Sequence, residues 1–375
     1  MSFLLPTKIY KNLKRDDLLI GKLKGRYLRT PDYKPEMHYK DIVNGEYFRG
    51  LTILRHYLKV ASDYYFSCNL NAKNVDLFML TPSVSSPAGL GSDSRPVPIR
   101  FGKLKTFLVD SSQFGFEPLL VKNFEKVYCY LPSIRGENPD RRHLNQFFHC
   151  EFEMAGTLKQ LMPVIEGYIK TLSTTLLRLN NLLNKMSNNP NKSRKTLRKI
   201  VSLDKFPSIT FDEAINLLIK YGWKKLIKFT SYGRNILFEG ELKLTEILKI
   251  DMPIWVKYYD RDRVAFYQKP MLNDHNKVLN ADLLFPPMVS GKFGGEIVGS
   301  GQRQNKSEEI YESLKRQGIS PDPYEWYINL RRMSNYRTTS GFGLGIERFI
   351  TWALAKDDIK DVILYPRLKN IITFP

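Results

Sequence analysis

Residues 130–154 read YLPSIRGENPDRRHLNQFFHCEFEM, which predicts a strand, a polar turn and a second strand. The turn, ENPDR, is rich in residues that favour turns, and the apolar alternation resumes after it. The notable side chains are Arg135, Glu137, Arg142 and His143 beside the turn, and the pair Phe147 and Phe148 on the second strand. Guanidinium forks bind phosphate oxygens and an aromatic ring stacks on a base. The hairpin is therefore typical of a site for a nucleoside polyphosphate.

A second stretch, residues 340–348, reads SGFGLGIER and predicts a glycine-rich turn that leads into a helix. The apolar residues at helical spacing are Leu344, Ile346, Phe349, Ile350, Ala353 and Leu354. Arg348 then falls in the first helical turn, where the helix dipole and free backbone amides favour an anion. Both stretches point to the same class of ligand.

Together these residues resemble the class II aminoacyl-tRNA synthetases. The segments RGE (135–137) and RHL (142–144), followed by Phe147, are similar to motif 2 of that family, and residues 341–348 are similar to motif 3. Thr81 and Pro82, which end the apolar run 75–80, resemble motif 1. The asparaginyl enzyme is the subgroup with the greatest likeness and the aspartyl enzyme is next, from about residue 48 to the end of the sequence.

The resemblance implies an α+β fold, with a class II synthetase-type antiparallel sheet flanked by helices. We expect a catalytic domain over residues 46–375, with a largely helical insertion between motifs 2 and 3 at 157–250. The succession of strands, hairpins and late helices also favours antiparallel α+β architecture over repeated βαβ units. Residues 51–66 show helical spacing, and in the family this helix and the motif 1 strand form the interface of a homodimer.

In this family a carboxylic acid attacks the α-phosphate of ATP, and catalysis consists of positioning and charge neutralisation. The resemblance gives Arg135 and Arg348 the catalytic contacts to the phosphates, and it places Phe147 on adenine. The other ATP-binding residues that it implies are Arg142, His143, Glu296, Gly343 and Gly345. Asp282 and Glu296 resemble the acidic pair that holds Mg²⁺, whose hard oxygen ligands ATP phosphates would complete. The interval between these two acids is longer here than in the family.

The resemblance also implies an amino-acid pocket formed by Gln113, Glu137 and Arg303. Residues 107–117 are similar to the amino-acid-binding strand, in which Gln113 contacts the substrate amino group. Arg303 falls where the family's arginine holds the substrate side-chain oxygen, and Glu137 where an acid accepts from an amide. Position 116 carries a lysine in the aspartyl enzyme and a phenylalanine here, so an Asn-like side chain is favoured over Asp.

Composition restricts the other possibilities. The 375 residues can build a large core, and the three cysteines show no paired spacing, which predicts a reducing compartment without a zinc site. Without an apolar run of membrane length or a signal peptide, we expect a cytoplasmic protein with no membrane partner. The net charge of +20 suits a nucleic-acid partner such as tRNA, and it is equally compatible with a lysine-rich composition that implies no partner.

Two segments of the sequence are rich in basic residues. Residues 1–45 carry ten Lys or Arg, five Asp or Glu and three prolines, which predicts an irregular basic arm. Because such a segment cannot form a five-stranded barrel, we expect the anticodon-reading OB-fold of the asparaginyl and aspartyl enzymes to be missing. Residues 187–200 hold five basic residues within 192–199 and predict a solvated loop, with contact to acceptor RNA as an alternative.

Three functions follow as hypotheses. The first is an amide-forming ligase that activates asparagine or an Asn/Asp-like amino acid as the adenylate and transfers it to an amine other than tRNA. Its basis is the expected absence of an anticodon domain and an altered pocket, which has no glutamate near Leu90 and reads TTSG (338–341) before motif 3. The second is a minimal asparaginyl-tRNA synthetase. The third is a non-catalytic sensor of amino acid or tRNA, which the intact Arg135 and Arg348 argue against.

Overall fold

The computed structural model describes residues 6–85 and 94–374. Its helices are α1 (Thr7–Lys22), α2 (His38–Asn44), α3 (Glu46–Tyr64), α4 (Glu117–Val121), α5 (Leu158–Arg178), α6 (Asn180–Met186), α7 (Pro190–Ser202), α8 (Phe211–Lys220), α9 (Phe238–Ile247), α10 (Ser307–Arg316), α11 (Glu325–Asn329) and α12 (Ile346–Ala353). Its strands are β1 (Lys73–Asn74), β2 (Leu80–Thr81), β3 (Pro98–Phe101), β4 (Leu104–Leu108), β5 (Lys126–Ile134), β6 (Gln146–Ala155), β7 (Ser208–Thr210), β8 (Ile227–Thr230), β9 (Gly233–Ile236), β10 (Ile254–Lys257), β11 (Asn280–Phe285), β12 (Gly295–Gln302) and β13 (Thr339–Gly345).

An eight-stranded sheet carries the fold, in the order β1-β5-β6-β13-β12-β11-β10-β7. The strands from β5 to β10 pair antiparallel, whereas β1 and β7 add parallel edges. A three-stranded sheet (β2-β4-β3) and the hairpin β8-β9 lie beside it. The α+β architecture with a mainly antiparallel sheet flanked by helices is therefore confirmed.

Side chains along the central strands alternate between two faces of the sheet. One face, which packs against helices, is apolar, and the other, called here the ligand face, lines a cavity. On β6, Cys150, Phe152 and Met154 belong to the main apolar core, which also contains residues of α3, α5 and α12. The intervening side chains, from Phe147 to Glu153, line a cavity on the other face. Since successive side chains of a strand point to opposite faces, the hairpin sequence itself creates this division.

The prediction of an irregular arm at residues 1–45 was wrong. Helix α1 buries Leu13 and Ile20 in the main core, and Asp17 accepts hydrogen bonds from the backbone N–H groups of Asn181 and Leu182 at the start of α6. The apolar spacing of α1 is interrupted by Asp17 itself, which is buried because it caps another helix. This polar position concealed the helix from the sequence pattern.

Residues 187–200 were also predicted wrongly as a loop, because residues 190–202 form helix α7. Asn189 caps it by accepting from the backbone of Lys192, and Pro190 occupies the first helical position. The buried face is formed by Ser193, Thr196, Leu197 and Ile200. Two of these four are polar, so the apolar periodicity that marks a helix was incomplete.

Two predicted strands are shorter than expected. In the run 75–80 only Leu80 belongs to a strand, because β1 ends at Asn74 and β2 begins at Leu80. The amino-acid-binding strand predicted over 107–117 ends at Leu108, and Gln113 begins a single 3₁₀ turn. Leu90, near which the sequence has no glutamate, lies within residues 86–93, which the structure does not describe.

The stretch 157–250 is rich in helix, although β7 joins the main sheet and β8-β9 form a hairpin. Thr210 and Glu213 form a capping box at the start of α8, in which each side chain accepts from the other residue's backbone N–H. Helix α9 follows the hairpin and reaches the cavity through Phe238 and Glu241. Within the described ranges, no helix is both long and apolar enough to span a membrane.

Candidate active site

A cavity of about 430 Å³ lies on the ligand face of the main sheet. Its walls bring together all the catalytic, ATP-binding, amino-acid-binding and metal-binding candidates that the resemblance implies: Gln113, Arg135, Glu137, Arg142, His143, Phe147, Asp282, Glu296, Arg303, Gly343, Gly345 and Arg348. This volume falls within the range of small-molecule sites, about 300–1,000 Å³. The predicted residues thus share one cavity, although their individual roles stay predictions.

Arginines dominate one end of the cavity. The Arg135 guanidinium lies 5.2 Å from the centroid of the Phe147 ring, and the Arg142 guanidinium lies 3.8 Å from that of Phe238. Arg142 is 7% exposed, and its Nη1 makes no hydrogen bond within the described structure. Burial and the neighbouring Arg348 lower the pKa of Arg142 to about 10. A buried guanidinium with an unused donor, close to a second cation, is suited to an anionic ligand.

His143 connects this cluster to the motif 3 helix. Asp140 Oδ1 accepts from His143 Nδ1 at 2.9 Å and from the backbone of Arg142 at 2.6 Å. On the other side of the ring, Arg348 Nη2 lies 3.2 Å from His143 Nε2. Burial and the charge of Arg348 lower the pKa of His143, so the neutral ring with a proton on Nδ1 can accept from Arg348. The hairpin and helix α12 thereby share one hydrogen-bond chain.

Two carboxylates approach each other across β11 and β12. A Cβ added at Gly299 would lie 3.3 Å from Glu296 Oε1 and 3.7 Å from Asp282 Oδ1, so both oxygens lie beside the same backbone position. Burial, then the charges of Glu296 and Glu241, raise the pKa of Asp282 well above its usual range. Two carboxylates that destabilise each other in this way favour a bound cation.

A magnesium ion fits this pair when substrate phosphates supply further oxygens. Mg²⁺ is usually bound by one or two carboxylates together with phosphates rather than by an all-protein cage. In the described part of the chain, no group of three or more His, Cys, Asp or Glu side chains is arranged to hold a metal. Asp282 and Glu296 are the residues that would hold it.

Glu153 occupies the opposite end of the cavity with Arg303. Arg303 donates to both carboxylate oxygens, from Nε at 2.9 Å and from Nη2 at 2.7 Å. A Cβ at Gly341 would lie 1.8 Å from Glu153 Oε2, so only glycine fits on the adjacent strand. The resemblance implies that Arg303 holds the substrate side-chain oxygen, and this role stays a prediction. Glu153 binds two of the Arg303 nitrogens, and Nη1 has no hydrogen-bond partner among the described residues.

The remaining amino-acid-binding candidates differ in how open they are to a ligand. Gln113 Nε2 is buried without a hydrogen-bond partner within the described structure, which is a donor available to substrate. Glu137 accepts from the backbone N–H of Arg95 at 3.2 Å through Oε2. Phe116 is 1% exposed and packs with Leu120 in a small apolar cluster. This position therefore offers no cation to a substrate carboxylate.

Sequence reasoning missed Phe238 and Glu241, which helix α9 brings from the insertion. Glu241 Oε2 accepts from the backbone of Glu296 at 3.0 Å and lies 3.9 Å from Arg142 Nη1. Burial raises the pKa of Glu241 to about 7, with the charge of Glu296 acting in the same direction. The local sequence FEGEL carries no motif that marks a site, so only the tertiary arrangement identifies these two residues.

Comparison with known proteins agrees with this geometry. The sequence profile of the family described as tRNA synthetases class II (D, K and N) matches residues 52–369. The asparagine–tRNA ligase of Pyrococcus abyssi is 34% identical over 263 residues, which are 70% of this chain and 56% of that protein. The corresponding enzyme of Mycoplasma genitalium is 32% identical over 281 residues, 72% of this chain and 59% of its own length. The matched region thus spans a little over half of these relatives.

Solved structures show the same relationship. Asparaginyl-tRNA synthetase from Pyrococcus horikoshii, complexed with asparaginyl-adenylate, superposes with a TM-score of 0.78 at 27% identity and covers 90% of this chain and 73% of its own. Aspartyl-tRNA synthetase from Entamoeba histolytica superposes with a TM-score of 0.70 over 99% of this chain and 69% of its own. At 19% identity the second likeness concerns the fold alone. By its matched profile, its fold and its relatives, the chain belongs to the class II tRNA synthetases of the D, K and N group.

Proposed function

We propose that this protein activates asparagine with ATP, forming the aminoacyl-adenylate, and transfers the acyl group to tRNA. The observation that carries the proposal is the polarity of the cavity: arginines and His143 at one end, and Arg303 with the unpartnered Gln113 amide at the other. ATP and an amino acid bound in these two halves would meet end to end. The relationship to asparagine–tRNA ligases supports the same reaction.

In this proposal the protein supplies positioning and charge. Arg135 contacts the α-phosphate and Phe147 stacks on adenine, while Arg348 and Arg142 neutralise the leaving pyrophosphate. Asp282 and Glu296 hold Mg²⁺, which supplies Lewis-acid stabilisation of the phosphates when bound. Gly343 and Gly345 leave the β13 side of the cavity open to the nucleotide. These are the roles that the family resemblance implies, and all of these residues line the cavity.

Asparagine fits the amino-acid half better than aspartate. Because Glu153 already neutralises Arg303, a substrate carboxylate would meet little net positive charge there. Phe116 adds none, since it is buried in an apolar cluster. An amide oxygen could accept from Arg303 Nη1, while Gln113 and Glu137 bind the polar groups that remain.

The tRNA acceptor proposed here corresponds to the second of the sequence-based hypotheses, a minimal asparaginyl-tRNA synthetase. The amide-forming ligase with a non-tRNA acceptor came first there, but the relatives and the family profile favour a tRNA synthetase. The net charge of +20 is also compatible with a polyanionic acceptor.

We further infer a homodimer by analogy. Met79, Phe101 and Leu104 of the small β2-β4-β3 region are exposed and would suit a protein contact.

Charging of tRNA tests the proposal. The purified protein is incubated with ATP, Mg²⁺, labelled asparagine and a tRNA transcript carrying the asparagine anticodon, and acid-precipitable label is counted. We expect charging that weakens steeply with added salt, because phosphate contacts release counterions. A phenylalanine tRNA transcript is the matched control. Asparagine activation without charging of any tRNA would contradict the acceptor and revive the amide-forming ligase.

A further inference from the structure

His149 is a titratable residue in the cavity for which the preceding account has no role. It stands two positions after Phe147 on β6, so both side chains project from the same face of the sheet. The two rings meet edge to face, with centroids 4.7 Å apart. The imidazole therefore lies next to the proposed adenine ring, on the side toward Glu151 and Glu153.

Two oxygens hold the Nδ1 side of this ring. Ser133 Oγ lies 2.9 Å from His149 Nδ1, and Glu151 Oε1 lies 3.3 Å from the same nitrogen. Glu151 is fixed in turn, since it accepts from Ser111 Oγ at 2.5 Å and from the backbone of Ser112 at 2.7 Å. The carboxylate cannot donate, so the arrangement favours a proton on Nδ1.

The charge of Glu151 is secure at neutral pH. Burial alone would raise its pKa, but hydrogen bonds from His149, Ser111 and Ser112 together lower the pKa below its usual range. Among the described residues, Glu151 is the charged group that contacts the His149 ring. The neighbouring strands place Ser133 and Gly343, which are uncharged, beside the same ring. Arg135 lies farther along, over the ring of Phe147.

The other ring nitrogen is unoccupied by protein. No described residue forms a hydrogen bond with Nε2, and the atom is not fully buried, so it is open to the cavity. The adjacent Cδ2 would lie 4.0 Å from a Cβ at Gly343. Glycine there leaves room beside Nε2 for a ligand.

We propose that His149 Nε2 is the general base of the acyl-transfer step. An imidazole whose Nδ1–H is oriented by a carboxylate presents a basic Nε2 to a nucleophile. The inference rests on the proposed function, because the cavity must first form an aminoacyl-adenylate. The acceptor hydroxyl oxygen attacks the carbonyl carbon, the bond from that carbon to the phosphate oxygen breaks, AMP leaves with the electron pair, and the hydroxyl proton passes to Nε2.

Activation and transfer should depend differently on this residue. In activation an already ionised carboxylate attacks the α-phosphorus and pyrophosphate leaves, so no proton needs a base. In transfer the acceptor must lose a proton. A substitution at His149 should therefore slow the second step far more than the first, whereas a structural defect would slow both.

The test uses His149→Gln, which keeps a polar side chain without a base, and His275→Gln, which alters an exposed histidine as the matched control. Asparagine-dependent pyrophosphate exchange measures activation. For transfer, the enzyme-bound adenylate is formed from α-³²P-ATP and isolated, and release of AMP is followed in a single turnover with the tRNA transcript or with water alone. Water serves as an acceptor in every case, so transfer can be measured even without charging.

We expect transfer by His149→Gln to fall by about 100-fold, within the usual range for general bases, while exchange falls by less than about threefold. The wild-type transfer rate should rise with pH to a plateau, a dependence that the variant loses, and added imidazole should partly restore His149→Ala. The control should match the wild type. Wild-type transfer rates in His149→Gln, or equal losses in both steps, would overturn the role of His149. Absence of exchange in the wild type would instead overturn the proposed function.

Discussion

Arg303 and Glu153 form a two-pronged ion pair at the floor of the cavity, with N–O distances of 2.9 and 2.7 Å, although 150 residues separate them. Their side chains are 4% and 1% exposed. The pair links β6 to the residue that follows β12 and fixes the plane of the guanidinium in the cavity. In the proposed function, stability and substrate choice would both depend on this contact.

Breaking this pair should destabilise the protein strongly. We expect Glu153→Ala to lower the free energy of unfolding by about 3–5 kcal/mol, because Arg303 would remain as a buried charge without compensation. Urea unfolding followed by circular dichroism measures the change. The double variant Glu153→Leu with Arg303→Met is the control, and it should recover part of the loss. A double variant less stable than Glu153→Ala would contradict this explanation.

Arg348 should matter for chemistry and little for folding. Its side chain is 21% exposed and contacts Glu296 and His143 at the phosphate end of the cavity. We expect Arg348→Ala to reduce pyrophosphate exchange by about 100-fold, typical of a lost electrostatic contact to the transition state. The exposed Arg332→Ala is the control. Exchange within about twofold of the wild type in Arg348→Ala would exclude the assigned role.

Helix α9 should contribute to nucleotide affinity through Phe238. Its ring lies 3.8 Å from the Arg142 guanidinium, and cation–π contacts away from water contribute up to about 2 kcal/mol. Phe238→Leu should therefore raise the KM for ATP by roughly tenfold and leave the KM for asparagine nearly unchanged. Phe229→Leu, at an exposed position of β8, is the matched control. An equal rise in both KM values would indicate a general distortion of the cavity.

Asp260 should make stability depend on acid pH. Burial raises its pKa, but hydrogen bonds from Arg234 and Lys277 outweigh burial and lower the pKa to about 2. The folded value lies below the ordinary value of about 3.9, so the ionised group contributes stability above about pH 4, and that contribution is lost as the pH falls toward 2.

Asp260→Asn tests this dependence. At pH 7 we expect a loss of about 1–2 kcal/mol in the free energy of unfolding, reduced from the full shift because the ion pairs reach solvent. The difference from the wild type should narrow between pH 4 and pH 2.5 in urea titrations. Asp274 is exposed and lies in the same segment between β10 and β11. For Asp274→Asn, the difference in unfolding free energy from the wild type should not change with pH in this way. A constant difference across this range would contradict the assignment.

Sequence alone located the residues whose chemistry is tied to a short motif. Arg135, Phe147 and Arg348 could be predicted because the turn, the strand and the glycine-rich helix start are encoded locally. Glu153 and His149 carried a weaker signal, since alternation from Phe147 places them on the same face. Their importance emerged only with partners from distant strands.

What the sequence concealed depends on burial of polar groups and on long-range packing. Helix α1 was missed because Asp17 interrupts its apolar stripe to cap α6, and α7 because Ser193 and Thr196 occupy its buried face. Glu241 had no local signature at all, since its environment is created by Glu296 and Arg142 from other elements. The spacing of apolar residues indicates which apolar side chains are buried. Asp17, Ser193, Thr196 and Glu241 are polar, so that spacing does not mark them.

Amino-acid-dependent exchange of labelled pyrophosphate into ATP shows directly whether this protein activates asparagine. The purified protein is assayed with Mg²⁺ and asparagine, aspartate, glutamine or lysine in turn, without tRNA. We predict exchange with asparagine that exceeds exchange with aspartate by at least about 100-fold, because the pocket built on Arg303 and Glu153 offers little net positive charge. Exchange should disappear with EDTA. No exchange with any of these amino acids, or preference for aspartate, would contradict activation of asparagine in this cavity.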